Sequence, residues 1–245
     1  RTEKLMFKKL VTILLFAMFC CWQFNAYANE GDDNVKVVML LSAHDHGYWA
    51  GEVIDAYDVL KKEGVEVVFA TPDGTVGIPS GMWTLDKDKS ATFRSLAQQL
   101  ATPQSLAQLD HTDFDAIYIP GGAGPMFDLY NHPTVNTFIK DLYQTNKPIA
   151  AVCHGPAALA GVRLDNGKLL IEGKNITGKS NAEEDDWARK NYAFLLEDQL
   201  KAVGGLFSAA APQKPWVVQD GLVLTGQNPA STTPLTELFV QNLRK

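Results

Sequence analysis

Pro148-Ile149-Ala150-Ala151-Val152-Cys153-His154-Gly155-Pro156-Ala157-Ala158-Leu159 reads as a short buried strand that stops at a cysteine and turns at once into a helix opened by small residues and a proline. A strand-to-helix turn this sharp lifts one side chain clear of the sheet, and it tolerates only small neighbours. Ala151 and Gly155 meet that demand. A sulfur at a helix start also meets unpaired N–H groups and the positive end of the helix dipole, so the spacing predicts a lowered thiol pKa. A lone free cysteine more often packs as a small hydrophobe; the flanking pattern shifts the balance toward a nucleophile.

Working outward, apolar runs alternate with helical spacing. Val35 to Leu41 and Glu66 to Ala70 read as strands around a helix from about Ala50 to Glu63, whose Val53, Ile54, Tyr57 and Leu60 share a face and which Gly64 stops. Residues 71 to 92 read as an irregular excursion, followed by helical spacing from about Ser90 to Leu109. Phe114 to Ile119 is the next strand, ending in Pro120-Gly121-Gly122-Ala123-Gly124-Pro125, and a helix from about Pro133 to Gln144 precedes the cysteine strand. Short strand-like pieces at Leu169 to Ile171 and Asn175 to Thr177 lead to a helix from about Glu183 to Val203. Trp216 to Gln219 and Leu222 to Leu224 resemble a hairpin turning at Asp220-Gly221, and a last helix begins near Pro229. This alternation predicts one α/β domain with a doubly wound, mostly parallel sheet and helices on both faces. In such a sheet, ligands bind beyond the carboxyl ends of the strands, where the loops at 42–49, 121–125 and 153–156 converge.

The first 28 residues have the order of an export signal: Lys4, Lys8 and Lys9, an apolar core from Leu10 to Phe19, then Ala26-Tyr27-Ala28 before Asn29. The apolar part is short of the roughly 20 residues of a spanning helix, so cleavage after Ala28 is expected over an anchor. The expected product, residues 29–245, is exported to a periplasmic or extracellular space and has no membrane attachment. Because the leader carries a net charge of +3, its loss takes the chain from −6 to −9, a surface ill suited to nucleic acid. Cys20 and Cys21 leave with it. Cys153 then stands without a disulfide partner in an oxidising compartment, where an unpaired thiol is either buried or kept for its reactivity.

His154 follows the cysteine directly, and no histidine lies after it. A downstream His-x-Glu pair of the kind that releases ammonia from glutamine is therefore excluded. The glycines at 121 to 124 let backbone N–H groups approach a ligand closely, as an oxyanion hole requires. They lack the third glycine and the first-turn position of a dinucleotide fingerprint. Glu52, one turn into the first helix, can point its carboxyl back toward the crevice, although most helical glutamates are solvated. Glu183 to Asp186 fit capping boxes with Ser180 and Asn181. His44-Asp45-His46 with Glu52 makes only a weak metal motif, since zinc usually takes three or four protein ligands. His111 and His132 fall in loops, and Asn228-Pro229 reads as a helix cap.

Together these residues resemble the PfpI-type superfamily, in its branch of glutathione-independent glyoxalases and heat-shock chaperones. The resemblance spans about residues 35 to 243. It rests on Gly47-Tyr48-Trp49-Ala50-Gly51-Glu52, Ile119-Pro120-Gly121-Gly122, Ala151-Val152-Cys153-His154-Gly155-Pro156, Leu170 to Gly178 and Thr225-Gly226-Gln227-Asn228-Pro229-Ala230-Ser231. It implies a flavodoxin-like sandwich, commonly a homodimer, that converts methylglyoxal or a related 2-oxoaldehyde to a 2-hydroxy acid without metal or organic cofactor. It further implies Cys153 as nucleophile, His154 beside it oriented by Glu184 (or by Glu183, one residue away), and Glu52 near the sulfur. Gly121, Gly122 and Tyr48 are implied at the oxyanion and the substrate. Lys179 stands where the branch often has an aromatic residue. A holding chaperone, a protein deglycase or peptidase, and a cysteine-based oxidation sensor are the alternatives.

Overall fold

The computed structural model describes residues 35–244; the export-signal expectation lies outside them. In chain order the elements are β1 Lys36–Leu40, β2 Tyr48–Trp49, α1 Ala50–Lys62, β3 Glu66–Thr71, β4 Pro79–Ser80, α2 Lys87–Ser95, α3 Ala97–Ala101, β5 Gln104–Ser105, β6 Ala116–Ile119, α4 Pro125–Asp128, α5 Pro133–Gln144 and β7 Ile149–Val152. They continue with β8 Asn175–Ile176, α6 Asp186–Asn191, α7 Leu196–Ala202, β9 Leu206–Phe207, β10 Val217–Asp220, β11 Val223–Gly226 and α8 Thr232–Leu243.

Seven strands form one sheet in the order β10-β11-β7-β6-β1-β3-β5. Only β10 is antiparallel, to β11. The inner five strands have the flavodoxin order, so the chain reverses direction of travel between β1 and β6 and leaves a crevice there. The pleat of β1 explains why its apolar run is continuous: Val38 and Leu40 enter one core, while Val37 and Met39 enter the other. β6 and β7 divide in the same way, with Ile117, Ile119, Ile149 and Ala151 on the first side and Ala116, Tyr118, Ala150 and Val152 on the second. α5 and α7 cover the first side through Val135, Ile139, Leu196 and Leu200, whereas α1 and α8 cover the second through Val53, Ile54, Leu235 and Phe239. Among the described residues no helix is long and apolar enough to cross a membrane.

β1, β3, β6, β7 and β8, α1, α5, α8 and the 217–226 hairpin stand where the periodicity places them, while β2, β4, β5 and β9 are short strands it does not mark. Three expectations need correction. The helix expected over 90–109 is α2 and α3 with a break at Leu96, and it ends at Thr102 because the residue before Pro103 is driven out of the α region. The helix expected over 183–203 is a 3-10 turn at Asn181–Glu183, then α6, then α7. Glu184, Tyr192 and Leu195 are extended between them, and Asp185, not Ser180 or Asn181, caps α6 by accepting the Ala188 N–H at 2.8 Å. Residues 169–171 form a turn after an isolated bridge between Arg163 and Leu169, while β8 pairs with the short β9.

Candidate active site

The elbow at the end of β7 is built by backbone contacts. Cys153 has φ +59°, a left-handed conformation that costs a residue with a Cβ about 1–3 kcal/mol. It is held there from both sides: its N–H donates to the Gly226 carbonyl at 2.9 Å, and its carbonyl accepts the Lys179 N–H at 2.8 Å. Gly155 is required by space, since a Cβ there would lie 2.3 Å from the Ile119 carbonyl oxygen. The helix expected after the elbow is only a five-residue 3-10 turn, Gly155–Leu159. Its dipole is correspondingly small.

Sulfur, imidazole and carboxylate stand in a row. Cys153 Sγ is 3.6 Å from His154 Nδ1, and His154 Nε2 is 2.9 Å from Glu184 Oε1. A carboxylate only accepts, so in the neutral imidazole Nε2 carries the proton and the lone pair of Nδ1 faces the sulfur. The Glu184 side chain is 2 % exposed, which keeps water from competing for that bond. Glu183 turns the other way. Its two oxygens accept from Gln213 N, Asn228 Nδ2, Gln227 Nε2 and Ser180 Oγ, all at 2.8–2.9 Å. Glu184, not Glu183, is therefore the residue on the imidazole, and neither acts as the cap that the spacing suggests.

Glu52 is fully buried at the bottom of the site. Its Oε2 accepts the Gly121 N–H at 2.6 Å, Oε1 is buried with no hydrogen-bond partner, and the carboxyl interacts with the Cys153 thiol. Burial pushes Glu52 up to about 7, against the pull of the Gly121 N–H and the sulfur. The thiol is shifted the same way, contrary to the reading from sequence: burial, then the Glu52 charge, push it well above its ordinary value, and Lys179 and the Gly122 N–H pull only partly back. The lowering expected from a helix start fails because the helix is too short and the sulfur too dry. The charge on Glu52 therefore opposes ionisation of the thiol beside it.

The site opens into a cavity of about 510 Å³ whose wall includes Trp49, Gly122, Lys179, Trp187, Tyr192 and Asn228. Gly122 is where the sequence reading puts it, with φ +103° and its N–H close enough to the sulfur to favour the thiolate. Gly121 is not an oxyanion donor, because its N–H is spent on Glu52. Tyr48 is also displaced from its expected role: it is 1 % exposed and packed in the core with Val53 and Met39, and the next residue, Trp49, faces the cavity instead. Successive strand residues point to opposite sides. His44 stacks on Phe127 and His46 lies tilted against it, with ring centroids 4.5 and 4.8 Å away, and the Glu52 carboxyl is bonded to Gly121. Among the described residues no group of three His, Cys, Asp or Glu side chains is placed to hold a metal. Lys179, Trp187 and Tyr192 were not marked as site residues by any local motif.

Residues 35–242 match the DJ-1/PfpI family. Among curated relatives, the chain is 28% identical over 204 residues to glutathione-independent glyoxalase HSP31 of Saccharomyces cerevisiae, covering 76% of this chain and 84% of that one. It is 26% identical over 228 residues to glyoxalase 3 of Candida albicans (83% and 96% covered). It is 34% identical over 209 residues to glutamine amidotransferase-like class 1 domain-containing protein 1 of Xenopus laevis (84% and 87%). Among solved structures it superposes on the rapid encystment protein of Francisella tularensis with a TM-score of 0.80 at 28% identity, over 85% of this chain and 99% of that one. Glyoxalase III of Candida albicans shares the fold at a TM-score of 0.79 and 24% identity, over 86% and 98%. With the fold, the elbow and the match over nearly the whole described chain in agreement, this protein belongs to the DJ-1/PfpI family.

Proposed function

We propose that the protein is a glutathione-independent glyoxalase, converting methylglyoxal or a related 2-oxoaldehyde to the 2-hydroxy acid. The observation that carries this reading is the row Cys153–His154–Glu184 opening onto one cavity, in a chain whose relatives bear glyoxalase names. The resting sulfur is protonated, so His154 Nδ1 takes its proton as the C–S bond to the aldehyde carbon forms. The oxyanion of the hemithioacetal is met by the N–H groups of Gly122 and His154 and then receives the proton back. The freed Nδ1 removes the hydrogen of C1 and delivers it to C2 while the hydroxyl proton passes from the C1 oxygen to the C2 oxygen, leaving a 2-hydroxy thioester, and Glu184 stabilises the imidazolium at each passage. Glu52 holds a proton beside the sulfur. Water then cleaves the thioester, giving the 2-hydroxy acid and the free thiol. No outside oxidant is needed, because C1 is oxidised as C2 is reduced.

The test is lactate formation from methylglyoxal with glutathione absent, for the wild type and Cys153→Ala. Activity in the wild type alone supports the reading; equal activity in both, or in neither, defeats it. A second reading, holding of unfolded clients, is favoured by the exposed side chains of Val76, Ile78, Met82 and Trp83, the last 82% exposed. Suppression of client aggregation that survives Cys153→Ala and is lost in Trp83→Ser would identify it. The homodimer suggested by family resemblance belongs with these proposals and is checked by light scattering.

A further inference from the structure

Lys179 is a cation where the sequence offers no reason for one. It follows the Ile176-Thr177-Gly178 segment, its N–H donates to the Cys153 carbonyl, and its half-buried side chain lines the same cavity as the sulfur. Among the described residues it makes no ion pair within 4.0 Å. The neighbouring acids are committed elsewhere: Glu184 to His154, Glu183 to Gln227, Asn228 and Gln213, and Asp185 to the cap of α6.

We propose that Lys179 is a positioning residue for the nucleophile: its uncommitted ammonium supplies the positive potential that lets Cys153 ionise beside Glu52 in a dry site. It does the work that a helix dipole would do if the elbow led into a full helix. The groups facing the sulfur are Glu52 from α1, His154 on the elbow, Lys179, and Glu184 and Tyr192 from the 181–192 segment; apart from His154, Lys179 alone among them brings positive charge. Burial weakens the charge on Lys179, but Cys153, Glu183, Glu184 and Glu52 outweigh it and keep the ammonium protonated. A cation acting through a water-poor medium on a nearby sulfur is worth far more than one in solvent.

The role rests on Cys153 being the reactive group, as in the proposed function, but its test reads the thiol without turnover. The rate of alkylation by the neutral reagent iodoacetamide is followed from pH 6 to 10 by the mass of the peptide that contains Cys153. The full-length wild type is compared with Lys179→Met, Lys179→Gln and Lys179→Arg, with melting curves for each. Lys179→Met and Lys179→Gln are expected to move the profile about one pH unit upward, a roughly tenfold slower reaction near neutrality, and Lys179→Arg to stay near the wild type. Either neutral variant that folds suffices. An unmoved profile in a folded neutral variant, or equal shifts in the neutral variants and Lys179→Arg, overturns the proposal. A protein that makes no lactate yet shows the charge-dependent shift loses the glyoxalase reading and keeps this one.

Discussion

Glu184 grips the far nitrogen of His154 at 2.9 Å with almost no solvent around the bond, and this fixes which nitrogen faces the sulfur. Replacing the carboxylate by an amide keeps the shape but permits the amide N–H₂ to face Nε2, which reverses the tautomer and puts a proton between imidazole and thiol. Glu184→Gln is therefore expected to lower kcat for lactate formation by about 10²–10⁴-fold with KM and melting temperature little changed. Steady-state kinetics beside a thermal melt check this; a tenfold rise in KM at constant kcat would place Glu184 in substrate binding instead.

Glu183 is the control for that experiment. Burial opposes its charge, yet hydrogen bonds from the Gln213 N–H and the Gln227 and Asn228 amides outweigh it and hold the carboxyl below its usual range. These bonds tie the 181–183 turn to residues 213 and 227–228. Glu183→Ala strands several of those donors and is expected to cost about 1–3 kcal/mol in urea unfolding. The predicted loss is of stability, and the activity of the folded fraction should fall far less than in Glu184→Gln.

Glu52 links the site to pH. Its ordinary value of 4.5 rises to about 7 in the fold, so between these two pH values the folded chain binds more protons than the unfolded one. Stability attributable to Glu52 is present below pH 4.5 and declines as pH rises to 7, by about 3 kcal/mol in total. Glu52→Gln removes this slope. Urea unfolding at pH 4.5 and 7.5 should show a smaller difference between the two pH values in the variant than in the wild type, and equal differences would rule the shift out.

Gly155→Ala tests the elbow's geometry. The added methyl would sit 2.3 Å from a backbone carbonyl that belongs to β6 and cannot swing aside. The expected cost is about 1–3 kcal/mol, with alkylation of Cys153 altered as the strand ends separate. A melting temperature equal to that of the wild type would mean that the turn is more pliant than its contacts indicate.

The sheet was legible because the signal for a buried strand is local: β1, β3, β6 and β7 are short apolar runs bounded by turn residues. Cys153, His154 and Gly122 were legible for the same reason, each sitting at the end of such a run. Glu184 came only through family resemblance, since no local rule says that a residue inside an acidic helical-looking stretch will be extended and turned inward toward His154. Tyr48 and Trp49 show the limit of pattern reading. β2 has two residues, too few to fix which of the pair faces the core. The thiol's shift was misread because its sign depends on dryness and on Glu52, about a hundred residues upstream in sequence.

The division of labour among the strand ends has an evolutionary corollary. Cys153, His154, Gly122 and Glu52 are fixed by the sheet and by α1, whereas Lys179, Glu184, Trp187 and Tyr192 all come from one stretch, residues 179–192, laid across the mouth. Mutational drift or grafting at Trp187 and Tyr192, with Lys179 and Glu184 kept, can refit the entrance to new compounds while Cys153 and its foundations stay where they are.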